Sequence, residues 1–213
     1  MKRTAGWTLI TILLAAGMVT AAEGVLPVKP DKPDKPAARP ERHVDLAICL
    51  DTSNSMDGLI GSAKQKLWAV VNELATAKPR PALRVALYQY GNTRLQREVG
   101  WVQKVCDLTD DLDTVYGKLF ALSTRGGTEY VARVVRAATD ELKWSTGKGD
   151  LRIIFVAGNE AATQDKKFKL QDICAAAASK GIIVNTIFCG PDSTGRKTGW
   201  ADAARWADGK YAS

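Results

Sequence analysis

Histidine is almost missing from this sequence, because His43 is the only one among 213 residues. A serine–histidine–aspartate triad or a zinc site with several histidines would depend on that one side chain. Cysteine is also sparse, and Cys49, Cys106, Cys174 and Cys189 contain no Cys-x-x-Cys pair, which argues against a zinc ribbon. These shortages argue against multi-histidine zinc sites and zinc ribbons, and they would tie any hydrolytic triad to His43.

Aromatic residues are few as well, at 7% of the chain, and the basic residues form no dense run. Residues 1–42 hold seven basic and four acidic residues, which leaves 23 basic and 19 acidic residues in the rest of the chain. That excess is small beside the basic surface that binding to a phosphate backbone needs. We therefore predict no nucleic-acid partner.

The composition is otherwise that of an ordinary globular protein, with 46% hydrophobic and 25% charged residues. A chain of 213 residues has room for one domain and a tail.

The first 22 residues have the layout of a secretory signal peptide. Lys2 and Arg3 precede an apolar stretch over 7–19, and small residues follow up to Ala22. The stretch is shorter than the roughly 18 apolar residues that a membrane-spanning helix needs. We expect cleavage after Ala21 or Ala22 and a periplasmic, cell-surface or secreted protein, with an uncleaved membrane anchor as the alternative.

Residues 23–42 form a linker rich in proline and lysine, which holds five of the eight prolines in the chain. Such a segment cannot bury apolar surface and favours extended polyproline II structure. It is either a spacer that holds the domain away from a membrane or wall, or a leader without a role.

Residues 43–213 alternate between apolar strand patterns and helical stripes. Strands are predicted at 43–50, 84–90, 98–105, 151–157, 182–189 and 210–213, and helices at 59–74, 112–119, 131–142, 170–177 and 200–207. This alternation predicts a doubly wound α/β fold, in which helices cover both faces of a mostly parallel six-stranded sheet. The second and third strands form a hairpin, which adds an antiparallel edge strand. The sequence ends within the last predicted strand, so a longer natural chain is one expectation.

Ligands of such sheets bind at the carboxyl ends of the strands, where the first strand runs into Asp51-Thr52-Ser53-Asn54-Ser55. Alternate residues bring one carboxylate and two hydroxyls to one place, an oxygen set that suits a hard cation such as Mg²⁺. The same residues are also good helix caps, which is the structural alternative.

A second loop, Gly126-Gly127-Thr128-Glu129, adds the hydroxyl of Thr128. With Asp51, Ser53, Ser55 and Thr128, residues 43–213 resemble the von Willebrand factor type A (VWA) family. The resemblance implies a Rossmann-like fold and a metal-ion-dependent adhesion site (MIDAS). It also implies a cation, Mg²⁺ or else Mn²⁺ or Ca²⁺, whose open coordination position takes an acidic side chain of a protein or peptide partner.

The third loop departs from the family pattern, because Gly158 stands where the resemblance implies an aspartate. Lost supporting groups of this kind weaken metal binding by roughly 10 to 100-fold. Asn159 or Glu160 is a possible substitute oxygen ligand, although a solvated loop charge is the plainer role for Glu160.

The sequence thus predicts an exported, monomeric binding module that catalyses no reaction and holds a divalent cation at a partly altered MIDAS. One alternative is a scaffold whose metal site has decayed and which makes metal-independent protein contacts. Another is a hydrolase that uses Asp51. We expect the cysteines to be mostly unpaired, with a bridge between Cys174 and Cys189 as the best alternative.

Overall fold

The computed structural model describes residues 42–213. The predicted signal peptide at 1–22, and all but the last residue of the predicted linker at 23–42, lie outside this part of the chain. No helix within 42–213 is long and apolar enough to cross a membrane.

One sheet of six strands forms the centre of the fold. The strands are β1 (His43–Asp51), β2 (Ala82–Tyr90), β3 (Val102–Thr109), β4 (Leu151–Gly158), β5 (Ile182–Phe188) and β6 (Tyr211–Ala212). They lie in the order β3-β2-β1-β4-β5-β6. All neighbours are parallel except β2 and β3, which pair antiparallel at one edge. The predicted doubly wound α/β sheet is confirmed.

Helices surround this sheet. They are α1 (Ile60–Ala75), α2 (Leu112–Ala121), α3 (Val131–Glu141), α4 (Leu170–Ser179), α5 (Asp192–Lys197) and α6 (Trp200–Trp206). A short 3-10 turn over Asn54–Met56 precedes α1. The stripes of apolar residues at helical spacing account for α1 to α4, because each buries one face against the sheet.

The alternation of side chains along β1 divides the core between the two faces of the sheet. Leu46 and Ile48 pack with Leu67 of α1 on one face, whereas Ala47 packs with Val134 of α3 on the other. Both layers are buried, so β1 is apolar along most of its length, as a central parallel strand should be.

One predicted strand needs correction, and one helix was not predicted. The third strand is not at 98–105 but at Val102–Thr109, because Gly100 and Trp101 have φ values of 81° and 53° that turn the chain before pairing begins. Helix α5 has no counterpart among the predicted helices. Its six residues bury only Gly195, so it has no apolar stripe that a periodicity search would find.

The four cysteines are free thiols. Cys174 packs in the core that contains α3 and α4, whereas Cys189 packs against the core on the opposite face of the sheet. The alternative pairing of these two cysteines is therefore not formed.

Candidate metal site

Asp51 ends β1 at the point where the strand order reverses direction, since β2 and β3 lie on one side of β1 and β4 to β6 on the other. Its side chain is only 1% exposed. The carboxylate oxygen Oδ1 accepts a hydrogen bond from the backbone N–H of Ser53 at 2.8 Å. The other oxygen, Oδ2, is buried without a hydrogen-bond partner among the described residues. A buried carboxylate oxygen without a partner is costly, so its environment calls for an explanation.

The two serines that follow form a chain of hydroxyls. The hydroxyl of Ser55 donates to Oδ1 of Asn159 at 2.9 Å, and the Ser53 and Ser55 hydroxyls lie 2.9 Å apart. Since each hydroxyl has one proton, Ser53 must donate to Ser55, which leaves lone pairs on Ser53 free. Ser53 precedes the 3-10 turn, but its side chain makes no capping hydrogen bond.

Asn159 holds the third loop against the first with both ends of its amide. Besides accepting from the Ser55 hydroxyl, it donates from Nδ2 to the Ser55 carbonyl oxygen at 2.7 Å. Its oxygen is thereby committed to Ser55. The side chain of Glu160 is exposed, and the Glu160 carbonyl accepts from the indole of Trp200 at 2.7 Å.

The second loop is joined to the first by backbone pairing. Asn54 N–H donates to the Gly126 carbonyl at 2.6 Å, and Arg125 N–H donates to the Thr52 carbonyl at 2.9 Å. Gly127 approaches so closely that an added Cβ would lie 2.5 Å from Cβ of Ser53. The residue preceding Thr128 therefore lies against the Asp51 loop.

The third loop leaves no room for the aspartate that the VWA resemblance implies. A Cβ at Gly158 would lie 2.5 Å from the hydroxyl of Tyr90 and 3.0 Å from Oδ2 of Asp51. Tyr90 is fully buried, and its hydroxyl donates to the carbonyl of Ala157 at 3.0 Å. The Tyr90 side chain thus occupies the space that a side chain at position 158 needs.

Burial dominates the electrostatics of Asp51 and raises its pKa to about 7. The backbone hydrogen bond from Ser53 lowers the pKa, while the negative charges of Glu129 and Glu160 raise it further. A carboxylate with such a pKa is poorly stabilised by the protein alone, and a cation would favour its charged form.

Three residues near the site carry roles that sequence reasoning missed. Tyr90 is the last residue of an apolar strand and gave no signal. Gly91 directly follows β2, and a Cβ there would lie 2.8 Å from Oδ1 of Asp51. Glu129 directly follows Thr128, and this adjacency was the one available signal.

The chemistry of this set fits a hard divalent cation. The described residues contain no group of three His, Cys, Asp or Glu side chains that could hold a metal ion, so hydroxyl oxygens have to contribute. Asp51 supplies an unpartnered carboxylate oxygen, and Ser53 supplies free lone pairs. Such oxygen donors suit Mg²⁺, Ca²⁺ and Mn²⁺.

Comparison with known proteins identifies the family of this domain. A family model of the von Willebrand factor type A domain matches residues 46–160, and no curated protein matches the chain. The solved SpRpn10 VWA domain is 18% identical at a TM-score of 0.61, over 79% of this chain and 85% of that one.

Two larger proteins share the fold. Proximal thread matrix protein 1 from the mussel byssus, solved with a zinc-occupied MIDAS motif, is 11% identical at a TM-score of 0.60, over 81% of this chain and 41% of that one. The pilus adhesin SpaC from Lactobacillus rhamnosus GG is 12% identical at a TM-score of 0.60, over 82% of this chain and 28% of that one. Since the family model covers more than half of the sequence, including the Asp51 and Thr128 loops, the chain belongs to the von Willebrand factor type A family.

Proposed function

We propose that this VWA domain is an exported binding module that engages a protein or peptide partner through a divalent cation. Asp51, Ser53, Ser55 and Thr128 hold the cation. The observation that carries the proposal is the buried Asp51 Oδ2, which has no hydrogen-bond partner in the described part of the chain.

The bound cation supplies an open coordination position for an acidic side chain of the partner. The protein supplies the geometry around it. Asn159 clamps Ser55 from both ends of its amide, and the pairing of Asn54 with Gly126 holds the second loop in place. The hydroxyl chain directs its protons toward Asn159, and the lone pairs of Ser53 that remain would be available to a cation.

Export and an extracellular role are supported by the signal-peptide pattern at 1–22 and by the character of the similar proteins. Two of the similar proteins are named as a pilus adhesin and as a matrix protein of the mussel byssus. In this proposal the partner is a protein or peptide with an exposed carboxylate, and the VWA domain binds it while monomeric itself.

The module catalyses no reaction under this proposal. The only histidine, His43, begins β1 at the opposite end of the strand from Asp51. Asp51 therefore has no histidine beside it to act as a general base. A hydrolase that uses Asp51 would turn over a peptide or phosphoester substrate and lose that turnover in Asp51→Ala, and we expect no turnover in either protein.

A scaffold with a decayed metal site is the second candidate. It is favoured by Gly158, which replaces a carboxylate, and by the Ser55 hydroxyl, which already donates to Asn159. Its partner contacts would not depend on metal.

Calorimetric titration of MgCl₂ and MnCl₂ into three proteins separates these candidates. We expect binding to the wild type and to Asp110→Ala, which changes an exposed aspartate after β3. In Asp51→Ala the affinity should fall by at least about 100-fold, since even supporting groups are worth 10 to 100-fold. A wild type that binds neither metal contradicts the proposal and supports the decayed scaffold.

A further inference from the structure

The metal site has one carboxylate where the VWA resemblance implies two. Asp51 alone leaves a divalent cation half neutralised, and Tyr90 blocks a side chain at Gly158. The question is therefore which residue supplies the second negative charge. The assignment of that residue rests on the proposed function.

Glu129 lies close to the Asp51 and Ser53 side chains. A Cβ at Gly91 would lie 3.1 Å from Cγ of Glu129, 2.8 Å from Oδ1 of Asp51 and 3.4 Å from Cβ of Ser53. A single point beside Gly91 therefore touches all three side chains.

The surroundings of Gly127 also place Glu129 beside Ser53. A Cβ there would collide with Oε1 of Glu129 and lie 2.5 Å from Cβ of Ser53. The other carboxylate oxygen, Oε2, accepts from Nε2 of Gln164 at 3.4 Å. Gln164 thus holds one oxygen, while Oε1 faces the Ser53 loop.

Gly91 and Gly158 lie against the two carboxylate oxygens of Asp51, because an added Cβ would be 2.8 Å from Oδ1 at Gly91 and 3.0 Å from Oδ2 at Gly158. Asp51 is only 1% exposed, and its Oδ2 has no hydrogen-bond partner among the described residues. An orphaned carboxylate oxygen in a glycine-lined cradle points to a missing ligand, independently of the position of Glu129.

We propose that Glu129 supplies the second carboxylate of the metal site in place of the absent third-loop aspartate. Two carboxylates neutralise a divalent cation, so the protein retains the metal before any partner arrives. The partner carboxylate then meets a neutral site, and its binding depends on the open coordination position rather than on excess positive charge.

The test compares three proteins in calorimetric titrations with MnCl₂. Glu129→Gln removes the charge and keeps the size of the side chain, whereas Glu160→Gln removes the other acidic charge that acts on Asp51. We expect Glu129→Gln to weaken Mn²⁺ binding about 10 to 100-fold and Glu160→Gln to change it less than about threefold.

Thermal melting gives a second readout that does not depend on calorimetric heat. Saturating Mn²⁺ should raise the melting temperature of the wild type and of Glu160→Gln, and raise that of Glu129→Gln much less. Glu129→Asp keeps the charge but shortens the side chain, and we expect an affinity between those of the wild type and Glu129→Gln.

The outcomes separate this inference from the proposed function. If the wild type binds Mn²⁺ and Glu129→Gln binds it equally well, Glu129 is not a ligand and only this inference is overturned. Equal losses in Glu129→Gln and Glu160→Gln overturn it too, since they indicate a general charge effect. A wild type that binds no Mn²⁺ overturns both proposals.

Discussion

Strand β1 carries a buried aspartate near each end, and the surroundings of the two differ. Asp45 is 0% exposed and accepts hydrogen bonds from Nε and Nη2 of Arg84, both at 2.8 Å, and from the Ser145 N–H at 2.6 Å. Asp51 is 1% exposed and accepts only from the Ser53 N–H, with Oδ2 unpartnered within residues 42–213. One strand thus holds a satisfied and an unsatisfied buried carboxylate.

The two surroundings distinguish a buried charge that the protein compensates from one that it leaves available to a ligand. Around Asp45 the protein supplies a cation and a backbone donor, so this carboxylate ties β1 to β2 and to the loop before β4. Around Asp51 it supplies glycines and hydroxyls, which leave space and lone pairs. A carboxylate kept buried without compensation costs stability unless a ligand completes its environment.

The largest expected effect is a pH dependence at Asp51 in the metal-free protein. Its pKa is raised from 3.8 to about 7, so the folded protein binds a proton more tightly than the unfolded chain. This contribution to stability is fully present below about pH 4 and is lost as the pH rises to about 7. In EDTA, the free energy of unfolding of the wild type should fall by up to about 4 kcal/mol relative to that of Asp51→Asn across this pH range.

Urea unfolding of both proteins at several pH values measures this difference. Above about pH 7 the difference should level off, because Asp51 is then ionised in both states. If the free energies of unfolding of the wild type and Asp51→Asn change in parallel between pH 4 and 7, the charge of Asp51 is stabilised by contacts that this structure does not show.

Asp45→Asn should give the next largest change in the free energy of unfolding. At neutral pH it should destabilise the domain, whereas Asp51→Asn should not. It leaves Arg84 without its carboxylate partner, and broken buried ion pairs of this kind cost about 3 kcal/mol or more. Arg84 is partly exposed, at 34% of its side chain, which places the expected loss at the lower end of that range. Chemical denaturation at pH 8 should show Asp45→Asn less stable, and Asp51→Asn at least as stable, compared with the wild type. If both substitutions destabilise equally, the distinction between the two aspartates is wrong.

Gly158→Asp should have the smallest effect of the three. The new Cβ meets the buried hydroxyl of Tyr90, and overpacking of this kind costs about 2 kcal/mol. Restoring the family aspartate should therefore destabilise the domain. Adding Tyr90→Phe removes the colliding hydroxyl and should recover part of the loss in thermal unfolding. A fully stable Gly158→Asp would show that Tyr90 does not explain the missing aspartate.

The sequence predicts local motifs of this site better than their surroundings. Asp51, Ser53 and Ser55 follow one another on a turn, so their spacing alone brings them together. Thr128 was assigned to the site from the two glycines before it and the family resemblance, and its contact with the cation stays a prediction. The alternation of apolar strands and helical stripes was likewise enough for the doubly wound sheet.

What sequence reasoning missed depends on contacts between distant segments. Tyr90 matters because its hydroxyl crosses from β2 to β4 at Ala157. Glu129 matters because the Gly91 and Gly127 loops converge on Ser53. The start of β3 depended on the left-handed backbone at Trp101, which is uncommon for a residue other than glycine. No periodic pattern encodes these features.

The most direct measurement of the central claim is anomalous diffraction from crystals of the domain grown with MnCl₂. We expect one Mn²⁺ bound by the carboxylate of Asp51 together with the hydroxyls of Ser53 and Ser55. A map without manganese at these side chains, in which Oδ2 of Asp51 is still buried and unpaired, would contradict the claim that this carboxylate is kept for a cation.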